Sequence, residues 1–357
     1  TEAICIPFYL CTSPVKVARN LLLYRYRHLN KAIRNAEKLG FSNGAALFPV
    51  ATFNGGETLN EWEQTFEEVH RNGIIAFAIC NYVRYTGDQN YLTEYGLKVL
   101  IAISRFWSQR VNISTEKKKY VILGVTGRNI YENNVNNNWF TNYIAFWTLK
   151  YTIECIEDIK KNNFHTFEDL CQEIKFNYEE VFNWKDIIEN MYFPENKELG
   201  IFLQKDGFLD KQLIKAADIP ESQRPINQHW TWDRILRSSP LRQADVLLGL
   251  YFFEEQFGTE VIKRNFDFYE PLTVHESSLS ASTHSIIASA IGDKQKAYDL
   301  YVQTARLDLD DYNNDVADGL HISSMAGTWL AIVQGFGGMR VKENKLHLNP
   351  HIPEKWN

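Results

Sequence analysis

Apolar residues recur every three or four positions along most of this chain. In PVKVARNLLLYRYRHLNKAIRNAEKLG (residues 14–40), Ala18, Leu22, Tyr26, Leu29, Ile33 and Ala36 keep that interval, and Gly40 stands where a helix would be capped. Such spacing stacks side chains along one helical face and does not suit a strand, whose side chains alternate. The same pattern predicts helices near 61–85, 90–109, 138–159, 166–191, 241–256, 279–291, 294–306 and 322–335.

The connections are of two kinds. YTGDQ (85–89) and IGDK (291–294) read as simple turns, whereas 41–60, 121–137, 193–240 and 306–321 are long and crowded with Trp, Asn, His and Glu. Helical hairpins with plain turns at one end and rich loops at the other put function on one rim. The fold class expected is all-α, an (α/α) barrel over residues 1–340. VKENKLHLNPHIPEKW (341–356) shifts to a β-like alternation, so 341–357 is expected to begin a C-terminal β region.

Composition narrows the function classes. A net charge of -6, with no basic run beyond EKKKY (116–120), argues against a nucleic-acid surface. Aromatic residues make up 14% of the chain, enough to stack sugar rings as well as to fill a large core. Five cysteines without C-x-x-C spacing point to a reducing compartment and away from zinc. No signal-like segment or 18-residue apolar run is present in the sequence, so a soluble, cytoplasmic protein with no membrane partner is expected. The opening TEAICIPFYL carries no initiating Met, and the chain reads as a piece of something longer.

Several polar clusters stand out. In NEWEQTFEEVH (60–70), Asn60 suits an N-cap and Glu61 and Glu63 suit a first helical turn; alternatively Trp62 stacks on a sugar and Glu63 accepts from its hydroxyls. HESSLSASTHS (275–285) and HISSMAGTW (321–329) each place His and Ser ahead of an apolar helix, which is a cap pattern and also an anion-site pattern. INQHWTWDR (226–234) offers His229, Trp230 and Trp232, either as a sugar-binding rim or as packing for the long connection. RLDLDDYNNDVADG (306–319) lacks the spacing of a calcium loop, and GFGGMR (335–340) follows no strand, so no metal or nucleotide cofactor is expected.

GVTGRNIYENNVNNNWFTNY (124–143), together with VARNLLLYRYRHLNKAIRNAEKLGFSNGAALFPV, NEWEQTFEEVHRNG, RPINQHWTWDRILRSSPLRQADVL, FDFYEPLTVHESSLSASTHS and RLDLDDYNNDVADGLHISSMAGTWLAIVQGFGGMR, resembles the catalytic domain of the disaccharide phosphorylases of glycoside hydrolase family 65. YENNVNNNW resembles the version carried by the maltose-acting members. The resemblance covers nearly the whole chain. It implies an (α/α)6 barrel between a β-sandwich domain and a small β region. The sandwich, the linker and the start of the barrel would then lie before Thr1, as would a glucose-gripping Trp-Asp pair. The barrel is therefore expected to be incomplete at its N-terminus.

The implied reaction is phosphorolysis with inversion, in which maltose and phosphate give glucose and β-glucose 1-phosphate. Phosphate is the co-substrate, and no cofactor is needed. An inverting hydrolase uses an acid and a water-activating base, whereas here phosphate attacks unaided and only the acid remains. The family's acid is a Glu two residues before the Glu-Asn-Asn run; this chain has Ile130 there. Loss of a positioned acid costs on the order of 10² to 10⁴ in rate. Glu132 is the nearest carboxylate that could substitute. Arg128 replaces a Pro, and Arg242 with Gln243 replaces a substrate-contacting Lys-Gln pair. By the same likeness Trp62 and Glu63 line the sugar site, and His275, Ser277, Ser278, His321, Ser323 and Ser324 hold phosphate. A homodimer is implied as well. The alternatives left open are a catalytically dead sugar- or phosphate-binding relic and a phosphorylase of another α-glucobiose such as kojibiose, trehalose or nigerose.

Overall fold

The computed structural model describes residues 2–59, 63–342 and 345–356. Thirteen principal helices carry the fold: α1 (Glu2–Thr12), α2 (Lys16–Arg27), α3 (Leu29–Lys38), α4 (His70–Thr86), α5 (Leu97–Arg110), α6 (Trp139–Asn162), α7 (Phe164–Glu173), α8 (Glu179–Asn190), α9 (Asp245–Phe252), α10 (Thr259–Tyr269), α11 (Ser280–Ala290), α12 (Lys294–Ala305) and α13 (Ile322–Leu330).

Six of these form an inner ring. α1 packs on α4, α4 on α6, α6 on α9, α9 on α11, α11 on α13, and α13 returns to α1. Outer helices lie against successive inner ones: α2 with α3, then α5, then α7 with α8, then α10, then α12. This is the expected all-α (α/α)6 arrangement. The sixth outer place, across α13 and α1, is not filled by any helix of the described residues.

Burial explains which helices are inside. α4, HRNGIIAFAICNYVRYT, is buried on nearly every side, whereas α3, LNKAIRNAEK, buries only Ala32 and Ala36. A helix apolar all round belongs in a core and a striped one belongs on a surface. Inner neighbours approach closely: a Cβ on Gly73 of α4 would stand 2.6 Å from Ile144 Cγ1 of α6. Rings fill the wall between them, with Trp139 stacked on Tyr143 at 4.9 Å and on Phe202 at 4.8 Å. These aromatics belong to the core.

The structure differs from the sequence reading in five places. The expected helix 14–40 is two helices meeting at His28, whose Nδ1 lies 2.9 Å from Tyr24 O. The expected 166–191 helix is likewise two, α7 and α8. α1 and α10 went unassigned. α1 contains Pro7 and is apolar on most sides, so it shows no stripe. The start expected at 61 lies outside the described residues; from Gln64 one short turn, Gln64–Glu67, precedes α4, which begins at His70.

At the C-terminus, Arg340–Lys342 pairs antiparallel with Lys345–His347, a small hairpin beyond the ring. Among the described residues, no helix is long and apolar enough to cross a membrane.

Candidate functional site

The loop from 124 to 138 is fixed by two buried carboxylates that lie far away in sequence. Glu67 Oε2 accepts from Thr126 Oγ1 (2.6 Å) and Asn134 N (3.0 Å), and its Oε1 accepts from Asn134 Nδ2 (2.8 Å). Asp245, at the start of α9, accepts from Asn129 N through Oδ1 and from Asn138 Nδ2 through Oδ2, both at 2.8 Å. Asn138 in turn caps α6, its Oδ1 accepting from Thr141 N at 2.9 Å. Asn134 (φ 51°) and Asn137 (φ 53°) take the left-handed backbone conformation that Asn tolerates better than most residues. The asparagine density is thus mostly architectural.

Burial pushes the Asp245 carboxyl up to about 7, against the opposing hydrogen bond from Asn138 and with a further upward push from Glu132. Asn129, fully buried, relays the position of Asp245 outward. Its Oδ1 accepts from Arg242 N (2.9 Å), and its Nδ2 donates to Glu132 Oε2 (3.2 Å).

Ile130 is half-buried. It packs with Ile214 and Ala216 against a small apolar cluster of Tyr131, Ile219, Ile226, Trp230, Ile235 and Val274. Position 130 therefore ties the 214–235 connection to the 124–138 loop. Glu132 is buried, and its Oε1 lies 2.8 Å from Nζ of the half-buried Lys211. The carboxylate is thus committed to the Lys211 ammonium and the Asn129 amide, which directs it into the fold.

Arg242, Gln243 and Ser277 meet beside this loop. Arg242 Nε donates to Glu276 O at 2.5 Å, and Ser277 Oγ donates to Gln243 Oε1 at 2.5 Å. Glu276 accepts from the Tyr131 hydroxyl and, at 2.9 Å, from Ile226 N. Burial raises the Glu276 carboxyl, with Tyr131, Ile226 and the nearby arginines opposing. Burial, followed by the Glu276 charge, raises the Tyr131 phenol.

The two His/Ser loops differ in how they are engaged. His275 (φ 57°) has Nδ1 2.8 Å from Ser280 Oγ, and its Nε2 lies 3.9 Å from Glu270 Oε1. Although burial alone would raise it, the Glu270 carboxyl is held down to about 2 by His275 and Lys296. His275 lines a groove of about 860 Å³ walled by the 215–225 segment and the outer face of α12. Ser277 is buried and Ser278 half-buried.

In the second loop, His321 Nδ1 lies 2.6 Å from Asp308 Oδ1 and Nε2 lies 3.6 Å from Asp315 Oδ2. Ser324 Oγ donates to Thr304 O at 2.8 Å, and Ser323 is half-buried. Glu63 is exposed, its carbonyl accepting from Phe66 N and Glu67 N. Trp62 lies outside the described residues.

Sequence reasoning passed over Glu67, Glu68, Arg71, Lys211 and Asp245. Glu68 is buried, which raises its carboxyl, while Arg128, Arg71 and Arg242 pull it back. The three arginines act on Glu68 through their charge, while the Arg71 guanidinium itself donates to the Phe48, Glu68 and Thr65 carbonyls. Burial also lowers Arg71 to about 10 and holds the His70 imidazole well down, Arg128 and Arg71 adding to the effect. The sequence shows two carboxylates in FEEVH directly before a largely buried helix, and Asp245 at the head of the apolar run VLLGLYFF, but it does not show their partners.

The family profile of the glycosyl hydrolase family 65 central catalytic domain matches residues 1–330. The chain is 53% identical over 356 residues to maltose phosphorylase of Bacillus subtilis (strain 168), covering 100% of this chain and 46% of that protein. It is 40% identical over 353 residues to alpha,alpha-trehalose phosphorylase of Thermoanaerobacter brockii, covering 99% and 45%. A solved structure, "Putative kojibiose phosphorylase from human microbiome", matches with a TM-score of 0.91 at 35% identity, over 100% of this chain and 52% of that one. The chain spans about half the length of the curated relatives it matches. It belongs to glycosyl hydrolase family 65, to whose central catalytic domain residues 1–330 correspond.

Proposed function

We propose that this chain descends from an inverting phosphorylase that converts maltose and phosphate into glucose and β-glucose 1-phosphate, and that Ile130 silences its proton transfer. The single observation that carries the reading is the intact loop around position 130. Asp245, Glu67 and Asn129 hold it beside Arg242 and Ser277, yet the side chain at 130 is a hydrocarbon. Arg128 and Arg242, whose charges both act on the buried Glu68, suit an oxyanion such as phosphate, because fixed cations stabilise charge in a partly closed site. Maltose is favoured over trehalose by the 53% and 40% identities to the respective phosphorylases.

The second reading, a sugar- or phosphate-binding relic, is favoured by the same Ile130. Residues 1–340 would form the catalytic barrel and 341–357 the start of a β region, in a cytoplasmic protein that pairs with its own copy. The test is phosphate release from β-glucose 1-phosphate with glucose as acceptor, run on this chain and on Ile130→Glu. Turnover only in the variant supports the reading, whereas turnover in the unmodified chain overturns the role given to Ile130. Two inert proteins favour the relic.

A further inference from the structure

We infer that the exposed indole of Trp232 is the stacking platform for the acceptor-side sugar, the ring that departs when the glucosyl unit is transferred. This rests on the phosphorolysis reading above. It begins from a contrast between two tryptophans two residues apart. Trp230 is buried, its Nε1 donates to Gln223 Oε1 at 2.8 Å, and the Arg234 guanidinium lies 3.6 Å from its ring centre. Its faces and its N–H are used by the fold. Trp232 is 44% exposed.

The position of Trp232 is nonetheless fixed. It is the first residue of the short helix Trp232–Arg237, which Thr231 caps by accepting from Arg234 N. Its ring meets the Tyr131 ring edge-on, at 6.2 Å and 84°. Tyr131 directly follows the reacting position, and its hydroxyl is held by Glu276. One part of the indole is thus anchored on the residue-130 loop while another part stays open to solvent.

An aldohexose has a C–H face that an indole can cover and hydroxyls around its edge that need polar partners. Asn227, His229, Thr231 and Asp233 are exposed around the indole in sequence. The departing sugar is uncharged, so its recognition calls for apolar area and hydroxyl partners. The cations around Glu68 serve the oxyanion instead. A large ring left partly in water forgoes hydrophobic stabilisation, which a bound sugar would recover in part.

Because Ile130 suppresses turnover, affinities can be measured at equilibrium on the chain as it exists. Maltose and β-glucose 1-phosphate are titrated separately by calorimetry into the parent chain, Trp232→Ala, Trp232→Gln and Trp232→Phe, each checked by its melting curve. The expected result is a loss of maltose affinity of about tenfold in the Ala and Gln variants. Phe should retain most of it, and β-glucose 1-phosphate affinity should stay within about twofold throughout. Equal maltose affinity in all four proteins, with β-glucose 1-phosphate still bound, overturns the platform and leaves the phosphorolysis reading standing. If the parent chain binds neither ligand, that reading fails and the platform falls with it.

Discussion

The Asp245 carboxylate lies against Gly127 so closely that a Cβ at 127 would stand 1.9 Å from Oδ2. The same Cβ would come within 2.6 Å of Asn138 Nδ2, the group that donates to that oxygen. Gly127→Ala must therefore separate the two or displace the loop. The expected destabilisation is about 1–3 kcal/mol, the usual cost of forcing an extra carbon into a packed site. Urea unfolding measures it, and a midpoint equal to the parent's would show that the loop yields freely.

Asp245 also sets a pH dependence whose sign follows from its burial. Its folded pKa, pushed up to about 7, lies above the ordinary carboxylate value of 3.8. The folded state binds the proton more tightly than the unfolded one, so this group's contribution is full below about pH 4 and is lost as pH rises toward 7. Asp245→Asn should flatten that fall. The parent-minus-variant difference in unfolding free energy should slope by up to about 1.4 kcal/mol per pH unit between pH 4 and 7. Parallel stability curves across that window would contradict it.

Lys211 and Glu132 form an ion pair with little water around it. Removing only the cation strands a charge, so Lys211→Met should cost about 3–5 kcal/mol, whereas Lys211→Met with Glu132→Gln should recover much of that. A double-mutant cycle by chemical denaturation reads the coupling. Additive losses would mean that each side chain acts alone.

Ile130→Glu sets chemistry against packing. A carboxyl replaces apolar surface that meets the cluster of Tyr131, Ile226, Trp230 and Val274, at an expected stability cost of about 1–3 kcal/mol. If the loop is otherwise competent, transfer to phosphate should rise by on the order of 10² to 10⁴. Calorimetric melting and phosphate assays together decide it. A variant more stable than the parent would mean that residue 130 does not hold the 214–235 connection.

How much of this was legible in the sequence depends on the kind of signal each residue gives. Outer helices such as α3 and α12 declare themselves by a stripe, since one face meets water. Inner α1 does not, because a segment buried on most sides has no polar phase to count, and Pro7 argues locally against a helix. The break at His28 was hidden for the opposite reason: both flanking helices bury residues at matching spacing, so the period runs through it. Ile130 was recognisable because a family motif surrounds it. Asp245 and Glu67 were not, since their partners lie 116 and 67 residues away in the chain for the Asn129 and Asn134 contacts. Only the folded ring brings those separations to hydrogen-bond distance.

The polar fastenings of the 124–138 loop described above run through residues 126, 129, 131, 132, 134 and 138, and none uses the side chain at 130. Shape and reactivity are thereby separable in this loop. On the phosphorolysis reading, a lineage can drop the proton donor without disturbing this polar frame, and the packing of Ile130 on the 214–235 connection even favours the exchange. The converse holds on the same reading: the loop keeps its form with a hydrocarbon at 130, so the seat into which a single acidic side chain could return is retained.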